Sequence, residues 1–155
     1  MTKAAAKAAL KRLDMFIGYW KVEASFPGAP PGHAAFEWVL GGQFLVQRTD
    51  APDPAPDSMA IVSVHPDRGT YTQHYFDTRG VVRVYEMTFA RGAWTLLRLK
   101  PDFSPLDFRQ RFKGKFSANG NLISGAWETS HDGKVWKHDF DLTYRKIMRH
   151  SSRTS

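Results

Sequence analysis

Glycine preceded by a polar or charged residue recurs along the chain, at Arg79-Gly80, Arg91-Gly92, Asn119-Gly120 and Asp132-Gly133, with Gly41-Gly42 ahead of them. Such pairs supply the positive φ angles that two-residue β-hairpin turns require. The stretches between them alternate apolar and polar side chains at period two, the signature of half-buried strands. Ten short strands are expected, near 19–26, 34–40, 43–49, 58–65, 70–77, 81–90, 93–99, 108–117, 122–129 and 136–146. Hairpins throughout imply an antiparallel meander. So many strands with little helix to cover their edges are best accommodated by closure. The expected fold class is therefore all-β, an up-and-down antiparallel barrel of about ten strands.

Residues 3–17 break that pattern. Alanine and lysine favour helix, and Leu10, Leu13 and Phe16 or Ile17 recur at helical spacing until Gly18. A short N-terminal helix over 1–17 is expected to cap one end of the barrel. Residues 1–147 form a single domain on this reading, and 148–155 a flexible basic tail. Two proline-rich stretches, Pro27 to Pro31 and Pro52 to Pro56, read as loops that can lie over a barrel mouth.

Composition narrows the function classes. The 155 residues contain no cysteine, which excludes disulfides, thiolate metal sites and a cysteine nucleophile. No apolar run approaches the roughly 18 residues that a membrane-spanning helix needs, and a cytoplasmic location is expected. The net charge of +7 is carried by the two ends, because residues 15–144 hold 14 basic and 14 acidic side chains. Specific nucleic-acid binding needs a basic face on the fold, so none is expected. The histidines show neither His-x-His nor His-Glu-x-x-His spacing, and no phosphate loop or Gly-x-Ser-x-Gly elbow is present. Ser104, Ser117 and Ser130 have no recognisable partners.

Residues opposite one another in a hairpin share a face. Centring one turn on Asn119-Gly120 pairs Phe116 with Ile123, Gly114 with Gly125 and Phe112 with Trp127. Centring the next on Asp132-Gly133 pairs Trp127 with His138 and Gly125 with Phe140. One face then holds Phe112, Trp127, Trp136, His138, Phe140 and Tyr144. The other holds Arg109, Arg111, Lys113, Lys115, Glu128, Lys137, Asp139, Asp141 and Arg145. The inward glycines leave room for close approach by another group, and His138 is expected to face inward, either as a core residue hydrogen-bonded to a neighbour or as an imidazole aimed into an aromatic cavity, the environment of an axial ligand or a buried base. Two-residue turns at Arg79-Gly80 and Arg91-Gly92 group His74, Phe76, Arg83, Tyr85, Trp94 and Arg98 on one face, taken as inward. That face would offer cations to an anionic or oxygen-rich ligand.

The helix leading into Gly18-Tyr19-Trp20 resembles the helix and Gly-x-Trp opening of nitrobindin-type, calycin-like barrels. The strand carrying His138 resembles that family's late histidine strand. The resemblance implies a heme b cofactor with His138 as its axial ligand, and hence as its metal-binding residue. The chain resembles more closely a bacterial group of the same barrel type. The matching segments are Glu37-Trp38, Gly41 to Arg48, Tyr75-Phe76-Asp77, Arg83-Val84-Tyr85, Trp127-Glu128 and Asp139 to Leu142. No activity carries over from that group.

Three readings follow. In the first, the barrel binds a small apolar or aromatic molecule, with heme as the specific candidate. The pocket is then drawn from Phe112, Trp127, Trp136, Phe140, Tyr144, Trp38, Phe76, Arg83, Tyr85 and Arg98. In the second it is a cofactor-independent isomerase, cyclase or decarboxylase, with His138 or His74 as base and Tyr85 and Arg83 stabilising an anion. In the third the core is filled, and Gly114 and Gly125 merely accommodate Trp127 and Phe140. A monomer or homodimer suits all three.

Overall fold

The structure, a computed structural model, describes residues 3–65, 68–103 and 105–148. Ser104 and, apart from Met148, the expected basic tail lie outside the described residues. The strands are β1 (Gly18–Ala24), β2 (Gly32–Val39), β3 (Phe44–Asp50), β4 (Ser58–Val64), β5 (Tyr71–Asp77), β6 (Val82–Ala90), β7 (Ala93–Arg98), β8 (Arg109–Phe116), β9 (Leu122–Ser130) and β10 (Lys137–Ile147). Every boundary falls within two residues of its expected position. Each strand pairs antiparallel with its sequence neighbours, and β1 pairs with β10 to close the barrel. Closure leaves no strand with an unpaired backbone edge. No described helix is long and apolar enough to cross a membrane.

The N-terminal segment is an α-helix, α1 (Lys3–Arg12), that tightens into a 3₁₀ turn at Leu13–Phe16 instead of running on as regular helix to 17. The tightening is visible in its bonds. The Ile17 amide donates to the Asp14 carbonyl, and the Phe16 carbonyl accepts from the Trp20 indole at 2.9 Å. The Tyr71 hydroxyl donates to the Ala9 carbonyl at 2.6 Å, and the Trp38 indole donates to the Asp14 carboxylate. Leu13 and Phe16 are completely buried. The Phe16 ring meets those of Phe36, Phe89, Trp94 and Phe116, all at centroid distances of 5.3 Å or less. Aromatic contacts of this kind add to the value of area burial alone. The segment is therefore a plug that fills one end of the barrel.

The β6–β7 and β8–β9 hairpins take the expected register, pairing Phe89 with Trp94, Phe112 with Trp127 and Gly114 with Gly125. Two other registers differ. The β5–β6 connection is a three-residue turn, with the Asp77 amide bonded to the Val81 carbonyl and Phe76 opposite Val82. Gly80, at φ 81°, supplies the left-handed residue that ends such a turn. The odd length rotates β5 by one position. Tyr71, Gln73 and Tyr75 face inward, and His74 and Phe76 face outward, contrary to the expected grouping.

The second difference lies in β10. The β9–β10 loop is longer than a two-residue turn. Asp132 accepts from the Lys134 and Val135 amides, and the Ser130 hydroxyl accepts from the Gly133 amide. His138 then pairs with Glu128, while Phe140 pairs with Trp127, so Asp139 is an extra residue in a β-bulge. The bulge leaves Phe140, Leu142 and Tyr144 facing inward but turns His138 outward. The outer row is accordingly Arg111, Glu128 and His138, and Lys137 stands opposite Thr129.

The inward glycines are explained by the core. A Cβ on Gly125 would stand 2.4 Å from Phe112 Cζ, and one on Gly114 would stand 2.8 Å from Phe112 Cε2. The space they vacate is occupied by the Phe112 ring, not by Trp127 or Phe140 as the filled-core reading had it.

Candidate functional site: a cavity open at one end of the barrel

Opposite the Phe16 plug the barrel is hollow. A cavity of about 890 Å³ opens between the β1–β2 loop, the β3–β4 loop and the β5–β6 turn. This falls in the usual range for small-molecule pockets. The two proline-rich stretches form much of its rim, through Pro27, Pro30, Pro52, Pro54 and Pro56. Phe26 of the β1–β2 loop stacks on Phe140 at 4.9 Å. A shallower groove of about 520 Å³ lies on the outside, beside the β8–β9 turn. Its one titratable side chain, Arg145, is paired with Glu23.

The inner wall follows from strand alternation. β8, β9 and β10 contribute Phe112, Trp127, Phe140, Leu142 and Tyr144, and β7 contributes Trp94 and Leu96. Trp127 lies against Tyr85 and Phe112 at 5.6 and 5.2 Å. Polar groups sit among these rings. The Gln47 amide donates to Thr49 and to the Tyr144 hydroxyl. Gln110 Oε1 accepts from Arg83 Nη1 at 3.1 Å and from the Tyr85 hydroxyl at 3.0 Å. The Tyr75 hydroxyl donates to Asp77, which also receives Arg79.

Burial first, and then the bond to Asp77, push the Tyr75 phenol well above its ordinary value. Burial likewise raises Tyr85, against the pull of Arg83, and raises Tyr144 to about 12. For Asp77, burial acts upward but is outweighed by bonds from Arg79 and Tyr75, leaving it at about 2. At neutral pH the cavity thus presents neutral phenols and, near its rim, the firmly ionised Asp77–Arg79 pair.

Of the residues expected at the site, Phe112, Trp127, Phe140, Tyr144, Arg83 and Tyr85 line this cavity. Trp38 packs against the core and bonds to Asp14 of the plug. Arg98, 2% exposed, is inward but clamped by Asp102, which takes its Nε and Nη2 at 2.9 Å and also accepts the Val84 amide. Trp136 lies outside, with its ring under the Arg111 guanidinium at 4.2 Å. Phe76 is 37% exposed on the outer face. The His138 side chain is 58% exposed and its Nε2 lies 2.8 Å from Asp141.

The inward placement of His138, His74, Trp136 and Phe76 is therefore corrected, for the register reasons given above. Sequence reasoning also passed over Gln110, Gln47 and Gln73. Gln110 was legible by parity, since it alternates with the outward Arg109 and Arg111.

Heme b needs an axial donor facing the macrocycle. Among the described residues no histidine, cysteine or methionine lines the cavity. Among the described residues no cluster of three histidine, aspartate or glutamate side chains is placed to hold a metal ion. The residues present do not fit a histidine-ligated heme.

No family model and no curated protein matches the chain in sequence. Among solved structures it is similar to the crystal structure of Rv2717c from M. tuberculosis. The TM-score is 0.57 at 15% identity, over 90% of this chain and 97% of that one. The likeness is one of fold: both chains, over nearly their whole lengths, form the same kind of barrel.

Proposed function

We propose that this barrel is a binding protein for a small organic molecule with a substantial apolar or aromatic body. The observation that supports this reading is the hollow half of the barrel: about 890 Å³, walled by Phe112, Trp94, Trp127 and Tyr144, sealed below by Phe16 and entered between proline-rich loops. A chain that needed only a stable core could fill that half as it fills the other. Burying the ligand's apolar surface supplies affinity at about 25 cal/mol per Å² before the entropic costs of association. Ordering the rim adds little to that cost, because proline already restricts the loops.

The cofactor-independent enzyme reading is weaker. It relied on His138 or His74 as base, and both imidazoles stand on the outer surface. The phenols that do line the cavity are held in their neutral form.

The test is a fluorescence titration with N-phenyl-1-naphthylamine, an apolar probe that brightens on leaving water. The wild-type protein should give a saturable rise near one probe per chain. Ala60→Phe places a ring in the cavity from β4 and should weaken binding by about tenfold or more, equivalent to about 1.4 kcal/mol, with the far-ultraviolet circular dichroism unchanged. A weak, unsaturable signal in the wild type, or one indifferent to Ala60→Phe in a folded variant, would overturn the proposal.

A further inference from the structure

We infer that the molecule held in the cavity is an amphipathic organic acid, its carboxylate received by Arg83. The inference rests on the binding reading above and adds the chemical class. Arg83 lies one residue inside the mouth end of β6 and lines the cavity. Its neighbours leave its charge uncompensated. Nη1 donates to the neutral amide oxygen of Gln110, which the Tyr85 hydroxyl also uses. Nε is shielded from solvent without an acceptor. Its other close neighbours are also uncharged: the Tyr85 hydroxyl and the Phe108 ring, whose centroid lies 6.0 Å from Cζ.

Among the described residues no carboxylate lies within ion-pair distance of Arg83, whereas Arg79 holds Asp77, Arg98 holds Asp102 and Arg111 holds Glu128. A guanidinium half withdrawn from water is costly to leave unpaired, and its planar fork suits a carboxylate. The position also fixes an orientation. A head at Arg83, near the mouth, directs an apolar tail down the wall toward Phe112 and Trp94 above the plug. Asp53 on the rim is exposed and makes no ion pair with Arg83, so it does not supply the missing partner.

The experiment uses the full chain at neutral pH and displaces bound N-phenyl-1-naphthylamine with dodecanoate or with 1-dodecanol, which share a tail and differ in charge. Dodecanoate should compete about tenfold better or more, as a charge-assisted bond in a sheltered site implies. The preference should shrink to within about twofold in Arg83→Gln. Arg83→Met removes the charge while keeping most of the side-chain length and should lose the preference in the same way; it decides the matter if Arg83→Gln does not fold. Equal competition by acid and alcohol in the wild type would overturn the anionic head while leaving the binding reading intact. A preference that survives in folded Arg83→Gln would remove Arg83 as its seat. No probe binding, and no quenching of tryptophan fluorescence by dodecanoate, would overturn both.

Discussion

Replacing Gly125 with alanine tests the reasoning about the barrel's inner wall most sharply. Gly125 is an extended residue outside the positive-φ region, so its backbone accepts alanine without strain. In an unconstrained strand the change would stabilise the protein by about 0.4–1 kcal/mol, through the reduced freedom of the unfolded chain. Here the new methyl would stand 2.4 and 2.6 Å from two atoms of the Phe112 ring and 3.1 Å from the Lys113 carbonyl. Phe112 is only 1% exposed and wedged against Trp94 and Trp127. It cannot swing aside without disturbing those rings, and overpacking of this kind costs about 1–3 kcal/mol. The clash outweighs the entropic gain, for a net loss of about 1–2 kcal/mol. At roughly 2–4 °C per kcal/mol for a chain of this size, the melting temperature should fall by roughly 2–8 °C.

Urea unfolding of wild type, Gly125→Ala, Phe112→Leu and the double variant measures the coupling. The smaller leucine should absorb most of the alanine penalty, giving an interaction energy of about 1 kcal/mol or more. A Gly125→Ala protein as stable as wild type, or a cycle that is simply additive, would refute the claim that this glycine exists to seat Phe112. If the glycine instead made room for a ligand, alanine would weaken probe binding and spare stability.

Phe16→Ala should cost about 3–5 kcal/mol, since it removes the ring around which four others pack; urea denaturation is the check, and a loss below about 1 kcal/mol would show that the plug is dispensable. His138→Ala should alter stability by less than about 0.5 kcal/mol, because its imidazole is exposed outside the barrel, and any Soret band obtained with hemin should survive the change; loss of a stoichiometric band would restore His138 as an axial ligand. Stability should fall at both pH extremes. Asp77 has its folded value lowered from 3.8 to about 2, so its contribution is complete above about pH 4 and is lost as pH drops toward 2. Tyr144 has its folded value raised from 10.0 to about 12, so its contribution is present below about pH 10 and is lost as pH climbs toward 12. Denaturation midpoints across pH should show both declines, Asp77→Asn should flatten the acid limb and Tyr144→Phe the alkaline one.

The strands, their order and the closing helix were legible because each rests on local chemistry. Alternation marks a strand, a glycine with positive φ marks its turn, and hairpins joined end to end admit few topologies. The face of β8 and β9 was legible for a related reason: the loop around Asn119-Gly120 spends four residues between Ser117 and Leu122, an even number like the two its composition implies, so the register is kept and Phe112 meets Trp127 as expected. Arg83 and Tyr85 could be assigned to the interior through the two-residue turn at Arg91-Gly92, where both residues have positive φ.

His138, His74, Trp136 and Phe76 were misplaced by single-residue effects. Arg79-Gly80 looks like a two-residue turn, but the chain spends three residues there, because Asp77 ties its carboxylate to the Arg79 and Val81 amides. The bulge at Asp139 has no comparable signature, and it reverses the side on which His138 emerges. Strand periodicity is two, so an error of one residue is an error of face. The sequence by itself determined the barrel, its plugged end, the proline-rich rim and most of the aromatic wall, since these depend on composition and alternation. The tertiary structure decided that one half of the barrel is hollow, that the His138 and His74 imidazoles lie outside it, and that Arg83 lines it without an anionic partner among the described residues. Those outcomes depend on register and on how side chains from distant strands fill or leave space, which no local pattern encodes.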